Sequence, residues 1–207
     1  MASVVACRPG PRAGCPFDHS VDAVFLRCTI DLLAERDYEH VTLNEVASRT
    51  GRAKTTLYRR WATKEDLVLA AIHTAGRPPE LDQLPSLGSL RSELLAVIDS
   101  AWLGGTERRA SIFVSLASAA RTSGRLADVI QAEVTEPYVE IYRRILQRAL
   151  DRGDLEAHLA PRIRILADVI PAMSAHRLGA GSGPVLRSFF VSVIDDVLLP
   201  ALGIPSP

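Results

Sequence analysis

The sequence predicts an all-α protein, an N-terminal helix-turn-helix domain followed by a larger C-terminal helical domain. Three observations predict it. Apolar residues recur at three- and four-residue steps along most of the chain. No segment alternates with period two for long enough to make a strand. The periodic stretches are separated by capping residues, glycines and prolines. With 207 residues, 47% hydrophobic and 23% charged, the chain suits one or two domains that bury a real core. No apolar run approaches the roughly 18 residues of a membrane span. Met1–Gly14 also lacks the sustained apolar centre of a signal peptide, so a cytoplasmic location without a membrane partner is expected.

Residues 1–17, with Pro9-Gly10-Pro11 and Gly14-Cys15-Pro16, read as a flexible tail. From Asp18 the helical period begins: Val21, Val24, Phe25, Cys28, Leu32 and Leu33 share one face, with Asp18 or Ser20 as cap and fraying near Arg36-Asp37. Thr42-Leu43-Asn44-Glu45 is a capping box, so a short helix follows through Arg49 and buries Leu43, Val46 and Ala47. Thr50-Gly51 ends it, glycine suiting the left-handed position after a helix. A second short helix fits Ala53–Trp61, burying Leu57 and Trp61, and Thr63-Lys64-Glu65-Asp66 opens a third. Gly76-Arg77-Pro78-Pro79 breaks the pattern, which sets the domains at 18–77 and 78–207. Beyond it, helices are expected over 87–103, 107–122, 126–133, 137–152, 161–178 and 184–199, with Pro171 bending the fifth of these.

Lys+Arg 24 against Asp+Glu 24 gives no net charge, but the charges are unevenly placed. Arg49, Arg52, Lys54, Arg59, Arg60 and Lys64 form a block without a single acid, laid over the helix-turn-helix pattern. Leu57 and Trp61, four apart, face inward, which leaves Thr55, Thr56, Tyr58, Arg59 and Arg60 on outer or flanking faces. Those residue types suit duplex DNA. Arginine bonds guanine bidentately, and threonine reaches a base edge while its methyl meets thymine. Tyrosine hydroxyls and lysines hold phosphates and fix register. A charge run alone is usually a solvated face. Here it coincides with two caps and a glycine turn, and double-stranded DNA is the expected partner.

These residues resemble the tetracycline-repressor (TetR) family of bacterial transcriptional regulators from about Val21 to Ile72. The marks are Leu33-Ala34-Glu35-Arg36-Asp37-Tyr38, Thr42-Leu43-Asn44-Glu45-Val46-Ala47, Thr50-Gly51, Lys54-Thr55-Thr56-Leu57-Tyr58-Arg59-Arg60-Trp61 and Lys64-Glu65-Asp66-Leu67. The resemblance implies that Ala53–Trp61 is a recognition helix, with Thr55, Thr56 and Arg59 approaching bases. It implies that Thr42, Tyr58 and Lys64 hold phosphates. Arg52-Ala53 stands where the family often has Val-Ser, Asp37 where it has glycine, and Trp61 where it has phenylalanine. The stretch Tyr142–Leu155 further resembles the helix and Arg-Gly turn that precede the last two helices in many members.

The same resemblance implies a small-molecule effector and a homodimer formed through the last two helices. Effector sites in helical bundles lie between helices. The candidate lining is Trp102, Phe113, Leu116, Tyr138, Tyr142, Met173 and His176. Each of these also suits plain core, and the small residues in Ser111–Ala120 would either leave a cavity or let helices pack closely. Few Lys or Arg fall among these candidates, so an apolar or aromatic effector is expected over a phosphorylated one. The last helix carries Val185, Phe189, Phe190, Val193 and Val197 as dimer candidates.

An enzyme is not expected. The chain has no His-Glu-x-x-His, no phosphate loop and no Gly-x-Ser-x-Gly elbow. Its five histidines are scattered, and Asp195-Asp196 on adjacent helix positions point about 100° apart. Neither cofactor nor metal is expected, because Cys7, Cys15 and Cys28 fit no metal spacing. The predicted function is a ligand-responsive repressor that binds an inverted repeat as a homodimer. The rival is a DNA-binding protein whose C-terminal part only dimerises or docks another protein.

Overall fold

The computed structural model describes residues 19–75, 88–179 and 185–205. Among these residues there is no strand. The N-terminal tail with Cys7 and Cys15, the Asp18 cap, the domain boundary at 76–87 and Pro184 lie outside the described residues.

Helix α1 (His19–Glu35) is the hub of the N-terminal half. Phe25, Leu32 and Leu33 on its inner face are fully buried. Buried Thr29 satisfies its hydroxyl by donating to the Phe25 carbonyl at 2.9 Å. A 3-10 turn (Tyr38–His40) leads into α2 (Leu43–Thr50), then α3 (Lys54–Arg60) and α4 (Lys64–Ala75). The N-cap half of the expected capping box forms, with Thr42 Oγ1 accepting from the Glu45 N–H at 3.1 Å, while the Glu45 carboxylate lies 3.8 Å from Arg36. Gly51 takes φ +63°, where a side chain would be strained. Leu43, Val46, Leu57 and Leu67 pack onto α1 and close this core.

The C-terminal half holds α5 (Leu90–Ile98), α6 (Thr106–Thr122), α7 (Gly124–Ile130), α8 (Glu136–Asp151) and α9 (Ile163–Gly179). It ends in α10 (Arg187–Ser192), a π-helical stretch (Val193–Leu198) and a last turn, α11 (Leu199–Ala201). Three boundaries depart from the sequence expectation. The first is α5, which stops at Ile98 rather than near Leu103. Leu103, Gly104 and Gly105 all take positive φ (56°, 85° and 92°), and two glycines in succession let the chain turn sharply into α6. Second, the separate helices expected over 126–133 and 137–152 are one continuous rod. A π-helical turn (Gln131–Thr135) accommodates the hydrogen bond that Pro137 cannot make. Third, the last helix begins at Arg187, after an extended Leu186. Pro171 is carried inside α9, which continues through it.

Two apolar clusters result, and they do not divide at the end of α4. The first joins α1–α4 to Ile112, Leu116 and Ala119 of α6 and Leu126 of α7. The second joins α5, α8, α9 and the last helix, with Leu94, Ile145, Leu146 and Ile194 fully buried. Trp102 touches both. Helix α6 therefore belongs to the core of the N-terminal unit while it also faces the C-terminal bundle. Three ion pairs brace α5: Arg91 on Asp195 (2.7 Å), Arg152 on buried Glu93 (2.7 Å) and Arg187 on Asp99 (2.6 Å). Asp195 is thus a structural partner of arginine, its side chain 13% exposed.

Candidate functional site

The α2–α3 unit presents one exposed polar face. Thr42 spends an oxygen lone pair on the Glu45 N–H, which leaves its own hydroxyl hydrogen to donate outward. Arg52, Lys54, Thr55, Tyr58 and Arg59 are exposed around it, and Thr56 is half-buried on the flank. Ala53 provides no side-chain cap, so α3 begins at Lys54, with the Thr56 N–H bonded to the Ala53 carbonyl at 3.0 Å. The rod is held from below by fully buried Leu57 and by Trp61, whose ring meets Phe25 edge-on at 6.1 Å. Asn44 Oδ1 lies 3.5 Å from the Tyr58 hydroxyl, so Asn44 joins this face although the sequence reading did not single it out.

Three members of the basic block are engaged inside the protein. Arg49 donates to Glu35 at 2.7 Å. Arg60, expected on the DNA face, turns back to Asp22 of α1, and its side chain is only 8% exposed. One position of an α-helix rotates a side chain by about 100°, enough to send Arg59 outward and Arg60 inward. Lys64 is half-buried: its ammonium donates to the Tyr38 carbonyl at 3.1 Å and sits 4.0 Å above the Tyr38 ring. That bond ties the start of α4 to the turn that leads into Thr42. The outward charge is therefore narrower than the sequence block.

The second feature is a cavity of about 180 Å³ between α6, the α7–α8 rod, α9 and the start of the last helix. Phe113, Leu116 and Tyr138 line it as expected. Trp102 and Tyr142 stand behind the wall instead, with rings 5.9 and 5.7 Å from that of Tyr138. Met173 and His176 are exposed on α9 and do not line the cavity, because Ile170, Pro171 and Ser174 occupy the inner side of that helix. Val185 and Phe190, expected at a dimer interface, line the cavity, while Val193 is buried in the core of its own chain. Phe189 is partly buried beneath Arg177, and Val197 remains exposed at 41%. The last helix spends most of its apolar stripe internally.

The sequence reading named few of the lining residues, and it missed the charged one among them. Arg109 is 4% exposed and lines the wall. Its guanidinium donates to the carbonyls of Ile98 (2.6 Å), Ser100 (3.1 Å) and Trp102 (3.2 Å) and to the Ser100 hydroxyl (3.1 Å). Burial pushes the Tyr138 phenol up, with the Arg109 charge acting the other way. Tyr142 is pushed well above the usual phenol range by burial first, and its hydroxyl has no hydrogen-bond partner.

The cavity and the helix-turn-helix unit share α6. Thr106, Arg109, Ala110, Phe113, Leu116 and Ala117 of this helix face the cavity. From its other side Arg108 donates to Asp31 of α1 at 2.6 Å, and Ser115 donates to the Arg36 carbonyl at 2.5 Å. Trp102 adds a link, its indole N–H reaching the Ala75 carbonyl at the end of α4 at 3.4 Å.

A compact helix-turn-helix unit with a cationic outer face, packed on a helical domain that contains a cavity, defines a DNA-binding regulator. The chain belongs to the TetR family of bacterial transcriptional regulators. Residues 25–71 match the family model of bacterial regulatory proteins of the tetR family, and residues 84–197 match the tetracyclin repressor-like C-terminal domain. A DNA-binding transcriptional repressor TetR of Mycobacteroides abscessus is 31% identical over 184 residues, covering 86% of this chain and 91% of that protein. An uncharacterized HTH-type transcriptional regulator of Mycobacterium bovis is 30% identical over 177 residues, covering 86% and 85% of the two chains. Among solved structures, a putative TetR-family regulator from Rhodococcus sp. superposes with a TM-score of 0.62 at 17% identity, covering 87% of this chain and all of its own. The fatty acid degradation regulator FadR from Bacillus halodurans superposes with a TM-score of 0.61 at 16% identity, covering 95% and 98%. These relatives are transcription regulators, and this chain is a regulator and not an enzyme. Among the described residues no helix is long and apolar enough to cross a membrane, and no group of His, Cys, Asp and Glu is placed to hold a metal ion.

Proposed function

We propose that the protein is a cytoplasmic repressor that binds an inverted-repeat operator as a homodimer and leaves it when a small molecule enters the α6-lined cavity. The observation that carries this reading is α6 itself. One rigid helix lines the cavity and, through Arg108 and Ser115, is bonded to α1 and to the turn after it. A ligand that displaces α6 must disturb one set of contacts or drag the DNA-binding unit with it. An effector acts only by preferring one of the two arrangements, and such couplings are commonly about 1–3 kcal/mol.

On the DNA, Thr55 and Arg59 are assigned to base edges, with Thr56 beside them. Thr42, Tyr58, Arg52 and Lys54 are assigned to phosphates. Arg60 and Lys64 become positioning residues, the first seating α3 on α1 and the second anchoring the turn at Tyr38. For the dimer, the large apolar groups left open to a second copy on α9 and at the last helix, among the described residues, are Ile165 (65% exposed), Met173, Leu186 and Val197. They replace Val185, Phe190 and Val193 in that role. The cavity favours this reading over a C-terminal part that merely dimerises, because a plain dimerisation module has no use for a 180 Å³ hollow beside its core.

The test is selection of bound duplexes from a random pool by the full chain. Two half-sites related by inversion and spaced by about 34 Å, or a multiple of one DNA turn, are expected. Ile165→Asp should yield a monomer in sedimentation that no longer retains those duplexes. A monomeric parent protein, or recovery of isolated half-sites, would overturn the proposal.

A further inference from the structure

We infer that the cavity takes a small monocarboxylate bearing one compact apolar group, with its carboxylate on Arg109. This rests on the effector reading above and specifies its chemistry. It also replaces the expectation of a purely apolar ligand, which came from not seeing any arginine among the candidate walls.

The argument starts from charge. A guanidinium removed from water is costly unless an anion or a full set of acceptors replaces the solvent. The oxygens that Arg109 binds, from Ile98, Ser100 and Trp102, are all neutral. They satisfy hydrogen bonds but leave the positive charge uncancelled. Asp99, whose carboxylate feels the Arg109 charge, is already clasped by Arg187 through two bonds of 2.6 and 2.8 Å. Among the described residues no Asp or Glu lines the cavity. An apolar hollow with an uncancelled cation in its wall attracts an anion and repels a cation.

Size and surface set the rest of the ligand. Phe113, Leu116, Tyr138, Ile170 and Phe190 line the wall and fit an apolar body. The volume, about 180 Å³, slightly exceeds the roughly 150 Å³ that accommodates benzene in an engineered cavity. A single ring with a short acid arm matches this volume.

The experiment compares three near-isosteric probes, phenylacetate, phenylacetamide and phenethylamine, by calorimetry on the full-length protein. In parallel, each probe is tested for release of a selected duplex. Phenylacetate should bind at least about tenfold more tightly than the amide, the gain expected when a charge-assisted bond replaces a neutral one. The amine should bind most weakly. Arg109→Lys should keep the preference for the acid, and Arg109→Gln should abolish it. The parent comparison decides even if either variant fails to fold. An amide that equals the acid, failure of all three to bind, or a preference that survives in Arg109→Gln overturns the inference. If the amide also releases DNA, the effector reading stands and only its anionic chemistry falls. If the acid is preferred but the duplex stays bound, the anion cavity stands and the effector reading falls.

Discussion

Arg59-Arg60 on α3 and Arg108-Arg109 on α6 are two identical dipeptides, and the fold splits each of them. On α3, Arg59 faces solvent and Arg60 folds back onto Asp22. On α6, Arg108 reaches out to Asp31 of α1, and Arg109 is buried at the cavity wall among neutral oxygens. The outward and inward members differ by one helix position, about 100° of rotation. What differs between the two regions is what the inward arginine finds. Arg60 meets a carboxylate, so its charge is cancelled and its role is structural. Arg109 meets only carbonyls and a hydroxyl, with no carboxylate bonded to it. The environment of a basic residue is therefore set by what surrounds it more than by membership of a basic run.

The comparison is most sharply tested by breaking the cancelled pair. Arg60→Ala should cost about 3 kcal/mol of folding stability in urea unfolding, because it strands a partly buried carboxylate on Asp22. Arg60→Met, which keeps the packing, should recover part of that loss. An Arg60→Ala protein that unfolds like the parent yet loses DNA would show that Arg60 belongs to the DNA face after all. Next in size, Arg59→Ala should cost about 1–3 kcal/mol of operator binding and relax sequence preference at one position, with unfolding unchanged. Equal losses on selected and random duplexes would move Arg59 from bases to phosphates.

Lys64→Ala separates the same two roles in a milder form. A lysine dedicated to a phosphate would lower the salt slope of DNA binding by about one unit. With its ammonium on the Tyr38 carbonyl and ring, the reduction should be smaller than about one unit and accompanied by earlier unfolding. A full unit with unaltered unfolding would return Lys64 to the phosphate contacts.

The smallest effect concerns acid. The Arg187 guanidinium, by hydrogen bonding first and by charge second, holds the Asp99 carboxyl below the usual aspartate range. A depressed folded-state value means that the pair's stabilisation is complete above the ordinary aspartate range and is lost as pH falls through the depressed value. Arg187→Ala should therefore lower stability by less than about 1 kcal/mol at neutral pH, since both groups are substantially exposed. The gap between variant and parent should close below about pH 4. A gap that persists in strong acid would assign the loss to packing of Arg187 instead.

The DNA-facing unit was largely legible because its signals are local. Thr42 and Glu45 are three residues apart, Gly51 needs only its own φ, and Leu57 and Trp61 mark one side of a two-turn rod. Such relations are written within a few residues and survive in any fold that keeps the helices. The internal partners of Arg60 and Lys64 were not legible because they, Asp22 and Tyr38, lie 38 and 26 residues away. The cavity was harder still. Phe113, Leu116 and Tyr138 suited a wall or a core equally well, and only the arrangement of α6, α8 and α9 separates them from Tyr142 and Met173. Nothing in the order Arg108-Arg109 tells which of the two is buried.

The amino-acid order alone determined that this chain is helical, where a capped helix, a glycine turn and a cationic second helix fall, and to which family they belong. Those properties depend on backbone preference and on periodicity, which act over one or two turns. The packing of α6 against both α1 and the C-terminal bundle decided the rest: which arginines are neutralised, which apolar side chains enclose a hollow, and which stay exposed. Burial and charge cancellation are set by neighbours brought together from distant parts of the chain, and those neighbours exist only once the helices have packed.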